Sequence, residues 1–478
     1  MLRDLAQVVA FVAFFALHSG VGWTQPSGAN SVPSTTLAEA LGYARAHQPQ
    51  IRSSLAELAA RRAESHVPRA QWLPQVGGTL QIFGATATNT TTVYLTVPEV
   101  DIPRIGATRA GTSTSWTPSA STFAGLSVTQ EVYDFGRIAA QIAATDALTD
   151  VARAGADDVS LAVQLAVEEA YHGVLAAKEV VGATEEAYAR ALTHRDYARA
   201  GTTSGLRPPI DLTRAQADVA LLEVRRIRAQ AGLHVARAGL AAAIGSESIE
   251  IDAQPISVDQ SPAPAFEEAL RTAVQRNPQL RVASARLRAQ QATTRAIFRE
   301  LAPNLTASAG LNGRAGGAPA SSNPQTPYGD GWLPAVGNWH LGLIFEWNIF
   351  DGTVLARRDA SRAREDALRA DHELVRITVG ASTERAYLDL ETALRALPGL
   401  EQVVAAARAN DAQADARFKA GLGTIIELAD AEALLTNALL ELALGRFGVA
   451  RARAALGRLM AQSRWAPITT SAHGGGRR

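Results

Sequence analysis

The chain contains no cysteine, and that absence excludes several kinds of site. Without a single Cys among its 478 residues, it has no thiolate nucleophile, no Cys-ligated zinc or iron–sulfur centre and no disulfide framework. A lipid-modified cysteine at the N-terminus is excluded for the same reason. Aromatic residues are also scarce, at 6% of the chain, and this composition favours long, closely packed helices.

Excess charge and catalytic motifs are missing as well. Lys and Arg number 46, as do Asp and Glu, so there is no surplus of positive charge with which to bind nucleic acid. The nine His are scattered, and the sequence has no G-x-S-x-G, P-loop, H-E-x-x-H or G-x-G-x-x-G motif. We therefore expect no enzymatic activity, no cofactor, no metal site and no nucleic-acid partner.

The N-terminus has the pattern of an export signal. Arg3 precedes a short apolar run over residues 5–17, and small residues around Gly20 and Gly22 offer a cleavage site. The run is too short to span a bilayer as a helix. The pattern predicts a signal peptide over residues 1–22 and a flexible leader over 23–36, with a buried N-terminal helix as the alternative. No further apolar stretch of 18 residues predicts a transmembrane helix.

The rest of the chain is an internal duplication. Glu39-Ala40-Leu41 recurs 229 residues later as Glu268-Ala269-Leu270, and Ala170-Tyr171 recurs 216 residues later as Ala386-Tyr387. Such self-similarity indicates two copies of one structural unit. We predict repeat 1 over residues 37–253, a Pro-rich linker over 254–265, repeat 2 over 266–460 and a flexible tail over 461–478.

Each repeat predicts the order helix, two strands, long helix and shorter helix. Residues 137–200 contain no Pro, and a helix of that length would extend about 96 Å at 1.5 Å per residue. Helices over 37–72 and 210–245 together match this length, so we expect them to lie end to end beside the long helix. In repeat 2 the long helix covers about 353–420, and Pro398 predicts a local kink.

Four strands are predicted, near residues 75–86, 121–134, 304–313 and 338–351. Apolar side chains alternate with polar or small ones, most clearly from Trp339 to Ile349. Five Trp lie in or beside these strands, at positions 72, 116, 332, 339 and 347. Aromatic girdles of outer-membrane barrels have this distribution, although a half-buried soluble sheet would show the same alternation.

Strand number separates the two interpretations. Four strands cannot close a membrane barrel, and lipid does not tolerate an open sheet edge. Several chains would therefore have to pool their strands. A dimer would supply eight strands around a filled interior, whereas a trimer would supply twelve strands around a lumen. We therefore favour the trimer, whose twelve helical tracks would continue the wall below the membrane.

Several short motifs, taken in order, give the chain a resemblance to a known family. They are the Asp134-Phe135-Gly136 and Phe350-Asp351-Gly352 turns and the segments Arg417–Gly421 and Glu427–Glu432. With the signal peptide and the duplicated unit, they resemble the TolC-type outer-membrane efflux proteins from about residue 37 to residue 460. The resemblance implies a mainly α fold, in which a trimeric 12-stranded membrane β-barrel continues into a long periplasmic α-helical barrel.

The same resemblance implies a location and a set of partners. The chain would be a homotrimeric duct in the cell outer membrane, in contact with its lipid and extending far into the periplasm. It would dock to a periplasmic adaptor protein and to an inner-membrane transporter of RND, ABC or MFS type. Two alternatives remain at this point, a periplasmic adaptor and a structural coiled-coil scaffold without channel activity.

The resemblance also assigns residues to the periplasmic entrance. Glu427 and Asp430 match the acidic positions of the constriction, and an i, i+3 pair shares one helical face. Threefold symmetry would stack their carboxylates as two rings that repel each other and attract cations. An ordinary acidic first helical turn, favoured by the helix dipole, is the simpler explanation.

A gate contact and docking turns follow from the same comparison. The family's latch positions fall on Phe418, Gly423 and Asp211, of which the first two lack the expected hydrogen-bonding groups, so Arg207 is the candidate substitute cation for Asp211 or Glu427. The adaptor-docking turns are assigned to Gly201 and Thr202 in repeat 1 and to Gly421 and Leu422 in repeat 2. Glycine at a helix end is also explained by C-capping alone.

Overall fold

The computed structural model describes residues 32–86, 118–316 and 336–465. The predicted signal peptide and most of the leader lie outside the described residues. So do nearly all of the two strand-connecting loops, with Trp116 and Trp332, and residues 466–478 of the predicted tail. Within the described ranges the chain is mainly helical, with one four-stranded sheet and one two-stranded sheet.

The two repeats have the same order of elements. Repeat 1 contains α1 Leu37–His47, α2 Pro49–Glu64, α3 His66–Ala70, β2 Gln75–Thr86, β3 Pro118–Tyr133, α4 Arg137–Thr203 and α5 Pro209–Ile244. Repeat 2 contains α6 Phe266–Arg276, α7 Pro278–Arg299, β5 Asn304–Gly316, β6 Val336–Glu346, α8 Gly352–Lys419 and α9 Ile425–Leu459. A short parallel pair, β1 Ser34–Thr35 and β4 Asp252–Ala253, joins the last residues of the predicted leader to the end of repeat 1. Residues 34–35 are therefore part of the fold rather than of a flexible leader, because backbone hydrogen bonds hold them on β4.

The first helix of each repeat is broken, where the sequence predicted one continuous helix. Gln48 has an extended conformation before Pro49, and Asn277 has an extended ψ of 129° before Pro278. Proline disfavours a helical conformation in the residue before it and is favoured as the first residue of a helix. A second break at Ser65 separates α2 from the short α3.

These breaks are where the short helices meet end to end. The Gln48 amide donates hydrogen bonds to the carbonyl oxygens of Ala242 and Ala243 at the end of α5, at 3.2 and 2.8 Å. In repeat 2 the amide of Asn277 donates to the Leu459 carbonyl at the end of α9, at 3.2 Å. Each buried amide thus binds carbonyls in the last turn of a helix, where the regular helical donors end. The predicted end-to-end arrangement is confirmed.

The long helices α4 and α8 are the two longest elements of the described structure, and the shorter helices pack against them. They contain 67 and 68 residues, which corresponds to about 100 Å each. Helix α4 packs against α2, α5, α7 and α9, so it joins the two repeats. The cores are narrow and contain many alanines; the largest surrounds Tyr171 of α4, which is 1% exposed. Pro398 lies inside α8 without interrupting the helix.

Helix α9 is the one described helix that is long and apolar enough to cross a membrane by length and composition. Its mean hydropathy reaches 1.3 over an 18-residue window, of which 39% is buried. The sequence predicted no such helix. Helix α9 packs against α8 and α4 and supplies Leu435, Leu442 and Leu456 to a shared core. This packing between helices accounts for its apolar composition.

The four-stranded sheet is antiparallel, in the order β2-β3-β5-β6. Three strands differ from the predicted limits: β3 begins earlier, at Pro118, and β5 extends to Gly316. Strand β6 ends at Glu346 rather than at residue 351. Its last residue pairs with Asn304, the first residue of β5 after Pro303, so no ladder partner exists for the residues that follow.

The sheet separates an apolar face from a polar one, as the alternation predicted. The register aligns Gly78, Leu126, Leu311 and Trp339 in one row across all four strands. Other members of this face are Val76, Leu80, Val128, Leu341 and Leu343, all of them exposed. Small and polar residues predominate on the opposite face, including the row of Ser127, Gly310 and His340, with Ile344 as an exposed apolar exception. A sheet with an exposed apolar face requires an apolar environment.

At the turn between a strand and each long helix, an aspartate side chain binds the first N–H groups of the helix. The Asp134 carboxylate accepts hydrogen bonds from the backbone N–H groups of Gly136, at 3.1 Å, and Ile138. The Asp351 carboxylate accepts from Thr353 at 2.7 Å and from Val354. Both aspartates therefore cap the N-terminus of a long helix. The capping explains why these turn motifs occur in both repeats.

The first residues of the predicted tail are ordered. The Arg464 N–H donates to the Gln164 side chain at 3.0 Å, and its guanidinium lies 3.3 Å from Glu168 of α4. Trp465 packs against the core around Tyr171. Residues 461–465 therefore belong to the folded part of the chain, because an aromatic ring and an ion pair hold them on α4.

We predict that Gln48→Ala destabilises the protein by about 1–3 kcal/mol, because it leaves the Ala243 carbonyl at the end of α5 without a donor and removes one of the two donors to the Ala242 carbonyl. Thermal unfolding in detergent measures the effect. Gln50→Ala removes an exposed glutamine two residues away and should change stability by less than about 0.5 kcal/mol. Equal effects of the two substitutions would contradict the role of the junction.

Candidate functional site at the helical tip

Two tight turns form the end of the molecule farthest from the sheet. One joins α4 to α5 and the other joins α8 to α9, and each contains a glycine in the left-handed region, Gly205 with φ 74° and Gly421 with φ 73°. The N–H of Leu206 donates to the Gly201 carbonyl at 2.9 Å, and that of Leu422 donates to the Arg417 carbonyl at 2.9 Å. The two turns are therefore the same structure in successive repeats.

This geometry corrects the predicted position of the first turn. Gly201 and Thr202 lie in the last turn of α4, which ends at Thr203, whereas Gly421 and Leu422 lie in the second turn, as expected. By sequence, the two repeats align Ala200-Gly201 with Ala420-Gly421. In the structure Gly205 is equivalent to Gly421, because each is the left-handed glycine that ends a helix.

Gly201 has a different role, which is to make room for Arg207. A Cβ atom on Gly201 would lie 2.8 Å from Cδ of Arg207 and 3.1 Å from its Cγ. The arginine side chain therefore crosses α4 at a point where only glycine allows it. Repeat 2 has Gly423 at the position equivalent to Arg207, so this contact belongs to one repeat only.

Arg207 connects the two turns. Its Nη2 donates to the backbone carbonyl of Phe418 at 2.7 Å, and its Cζ lies 3.8 Å from the centroid of the Phe418 ring. Its Nη1 lies 3.5 Å from Oδ2 of Asp211. The guanidinium thus combines stacking, a charge-assisted hydrogen bond and an ion pair, for which its planar shape is suited. Of the two predicted partners, the structure brings Asp211 to Arg207 and not Glu427.

Phe418 is the apolar anchor of this contact. It is 1% exposed and packs with Ile425 and Leu428 of α9. A hydroxyl at this position would have to find a partner in an apolar pocket. At this position Arg207 instead contacts the ring and the backbone carbonyl of Phe418.

The two acidic residues of the predicted constriction lie apart from this contact. Glu427 and Asp430 are exposed on α9, one helical turn apart. Arg417 lies 4.0 Å from Glu427, and both side chains are more than half exposed. Such a pair contributes little to stability. Within one protomer, both carboxylates therefore face solvent.

A buried histidine lies above the tip and was missed by the sequence analysis. His194 of α4 has a side chain that is 7% exposed, and its Nε2 lies 3.2 Å from Oδ1 of Asp415 on α8. Its Nδ1 lies 2.8 Å from Oε1 of Glu432 on α9. A neutral imidazole has one N–H donor, so two flanking carboxylates favour the doubly protonated ring. Nothing in the sequence spacing indicates that these three helices bring the three residues together.

The charges around His194 affect its pKa. Burial alone lowers the pKa of His194, but hydrogen bonding and charge from Glu432, and then from Asp415, outweigh burial and raise the pKa above its usual range. Arg190 lies 4.0 Å from Glu432, and Lys419 lies 2.8 Å from Asp415. Burial raises the pKa of the neighbouring Asp411.

Comparisons with known proteins identify the family. The sequence model of the outer membrane efflux proteins matches residues 40–246 and 269–462. The chain belongs to the outer membrane efflux protein family. The first matched range lies within repeat 1, and the second begins inside repeat 2 and ends two residues beyond it, so the duplication is a property of the family's fold. No curated protein matches the sequence.

Solved structures share the fold at low sequence identity. The outer-membrane channel OprN is 21% identical with a TM-score of 0.71, and the alignment covers 93% of this chain and 99% of OprN. The CmeC outer membrane channel of Campylobacter jejuni is 13% identical with a TM-score of 0.71, over 92% and 90% of the two chains. The open MtrE outer membrane channel of Neisseria gonorrhoeae is 18% identical with a TM-score of 0.66, over 89% and 88%.

Family membership establishes the general character of this efflux protein. It is an outer-membrane efflux duct with a long periplasmic helical extension, and not an enzyme. The predicted fold class and location are confirmed. Membership of this family excludes the two alternatives, a periplasmic adaptor and a coiled-coil scaffold.

We predict a pH-dependent contribution of His194 to the stability of this efflux protein. Because folding raises the pKa of His194 above its unfolded value of about 6.5, its contribution is complete below about pH 6.5. It is lost as pH rises through the folded pKa. The difference in melting temperature between the native protein and His194→Gln should be largest near pH 6 and shrink toward pH 8. The exposed His66→Gln is the control, and a difference that grows with pH would contradict this assignment.

Proposed function

We propose that three copies of this chain form one outer-membrane duct, closed at its periplasmic tip until an adaptor and an inner-membrane pump engage it. Each chain contributes four strands to a shared barrel of twelve, and the helical units continue the wall into the periplasm. Transport through the duct is passive, and the energy comes from the pump. The chain's own residues supply the wall, the closed tip and the docking turns.

The edges of the sheet carry this proposal. In the part of the chain that the structure describes, β2 and β6 are the outer strands of the four-stranded sheet. Their free backbone groups would have no hydrogen-bond partner in lipid. The two edge strands run in opposite directions because the antiparallel sheet has four strands, so β6 of one protomer can pair antiparallel with β2 of the next. Such pairing closes a ring of any number of protomers.

The size of the ring favours three protomers. Two copies would give eight strands, and the interior of an eight-stranded barrel is filled by side chains. Three copies give twelve strands with room for a lumen lined by the polar face around Ser127 and His340. The exposed apolar face around Leu126 and Trp339 would then contact lipid.

The trimer is tested on the full-length protein, expressed with its own signal segment and purified from the outer membrane in detergent. Native mass spectrometry should give three times the mass of the mature chain, and planar bilayers should show discrete conductance steps. A species that stays monomeric, or that remains soluble without detergent, would overturn the proposal.

Two features support a closed tip. Arg207, Asp211 and Phe418 hold the two turns of one protomer together. Glu427 and Asp430 are exposed on the first two turns of α9, and threefold symmetry would gather six carboxylates around the axis. Their mutual repulsion would be relieved by cations or by opening. The MtrE channel of Neisseria gonorrhoeae, which shares the fold, has been solved in an open state, and this supports the proposal that the tip can open.

The turns themselves are the proposed docking surfaces for the adaptor. Leu206 and Leu422 occupy equivalent positions and are 84% and 75% exposed. A trimer would present six such leucines at its tip, in two similar sets of three. An adaptor that binds both sets would contact the ends of the helices joined by Arg207. The pump would be of RND, ABC or MFS type.

We predict that Arg207→Ala loosens the tip. It removes the guanidinium from the Phe418 ring and carbonyl, which we expect to cost about 2 kcal/mol of closed-state stability and so to raise the ratio of open to closed channels roughly thirtyfold. Single-channel recording in planar bilayers measures this. Arg199→Ala removes an exposed arginine of α4, eight residues before Arg207 in the chain, and should leave the recordings unchanged. Unchanged gating in Arg207→Ala would remove this contact from the closure.

A further inference from the structure

A pocket of about 640 Å³ lies at the sheet end of the helices. Helix α4 forms one wall with Gly136 and three alanines of its first two turns. The last two turns of α7 contribute Arg295, Phe298 and Arg299, and α8 contributes Arg358 and Arg362. A wall of small residues, one aromatic side chain and four guanidinium groups therefore surround the same space.

The positive charge of this pocket is largely uncompensated. Arg358 lies 2.9 Å from Asp359 and 5.6 Å from the Phe298 ring. Among the described residues, no carboxylate forms an ion pair with Arg295, Arg299 or Arg362. Three guanidinium groups that converge on one pocket without acidic partners repel one another and favour the binding of an anion.

The other repeat shows that the fold does not require these arginines. By the spacings of the duplication, the residues equivalent to Arg295, Arg299, Arg358 and Arg362 are His66, Ala70, Ile142 and Asp146. Asp146 forms an ion pair with Arg69 at 2.8 Å. The same junction of helices is thus neutral in repeat 1 and basic in repeat 2, so the basic cluster is a property of this one place.

The position of the pocket relative to the sheet indicates the ligand. Strand β3 ends at Tyr133, three residues before Gly136, and β5 begins at Asn304, five residues after Arg299. With about 1.5 Å of rise per helical residue, Arg299 lies within about 8 Å of the start of β5, and Arg295 lies about 6 Å farther along α7. When the sheet spans the membrane, the end of the pocket nearest the sheet therefore adjoins the layer of periplasmic lipid headgroups, which is about 5–8 Å thick.

We propose that this pocket binds the phosphate headgroup of an anionic phospholipid in the periplasmic leaflet of the outer membrane. The forked guanidinium groups of Arg295, Arg299 and Arg362 hold the phosphate oxygens, while Phe298 and the α4 alanines contact the glycerol and the upper acyl chain. The lipid ties α7 to α4 and α8 directly below the sheet. The inference rests on the proposed membrane insertion of the sheet.

The test compares two double variants of the detergent-purified full-length protein. Arg295→Gln/Arg299→Gln removes two charges from the pocket. Arg286→Gln/Arg288→Gln removes two exposed arginines of the same helix about two turns away. Phosphatidylglycerol, phosphatidylethanolamine and inorganic phosphate are titrated, and binding is followed by native mass spectrometry and by the shift in melting temperature.

We expect phosphatidylglycerol to bind the pocket variant at least tenfold more weakly than the native protein, and the control variant within twofold of it. Phosphatidylethanolamine should bind both variants and the native protein weakly. Equal binding of phosphatidylglycerol to both variants would overturn the proposal. So would protection by inorganic phosphate at the same concentrations, because the site would then take a free anion.

A second variant on another helix distinguishes the loss of lipid binding from misfolding of the first variant. Arg362 lies on α8 and is exposed, so Arg362→Gln should also weaken the binding of phosphatidylglycerol. The trimer mass without added lipid distinguishes the two failures. A trimer that binds lipid independently of these arginines contradicts only this inference, whereas a chain that forms no detergent-solubilised trimer contradicts the proposed function.

Discussion

The backbone hydrogen bonds at the edges of the sheet constrain everything else in this protein. Strands β2 and β6 each present an unpaired edge in the described part of the chain, and lipid offers no partner for it. The exposed apolar face that includes Leu126 and Trp339 makes water an equally poor environment. The proposed assembly with further copies in the membrane would satisfy both requirements at once. The helices then form a wall because each strand pair continues into the helices attached to it.

Duplication gave the molecule two similar halves, and a few residues make the halves different. The two tip turns share their hydrogen bonds and their left-handed glycines Gly205 and Gly421. One half has Arg207 where the other has Gly423, and the arginine fits because Gly201 leaves space for it. At the opposite end, the arginines around Phe298 occur in the second half alone. Specific chemistry in this protein therefore lies where the repeats diverge.

Sequence patterns predicted the regular parts of this structure well. The absence of Pro from residue 137 to residue 207 predicted α4, and the alternation around Leu341 predicted both the strand and its apolar face. Less was predicted at the tip. Arg207 and Asp211 were named as partners, but the match of Gly201 to Gly421 was four residues out of register. Short motifs of Ala and Gly recur too often along helices to fix a turn, whose position depends on backbone conformation.

The sequence by itself determined the duplicated order of elements, the lengths of the two long helices and the two faces of the strands, because these depend on local periodicity and on Pro and Gly. Only the tertiary structure decided which distant side chains meet. His194 lies between Asp415 and Glu432 because α4, α8 and α9 pack together. Arg207 covers Phe418 because two turns from different repeats lie side by side. Contacts of this kind join residues more than 200 positions apart, a distance over which local periodicity carries no information.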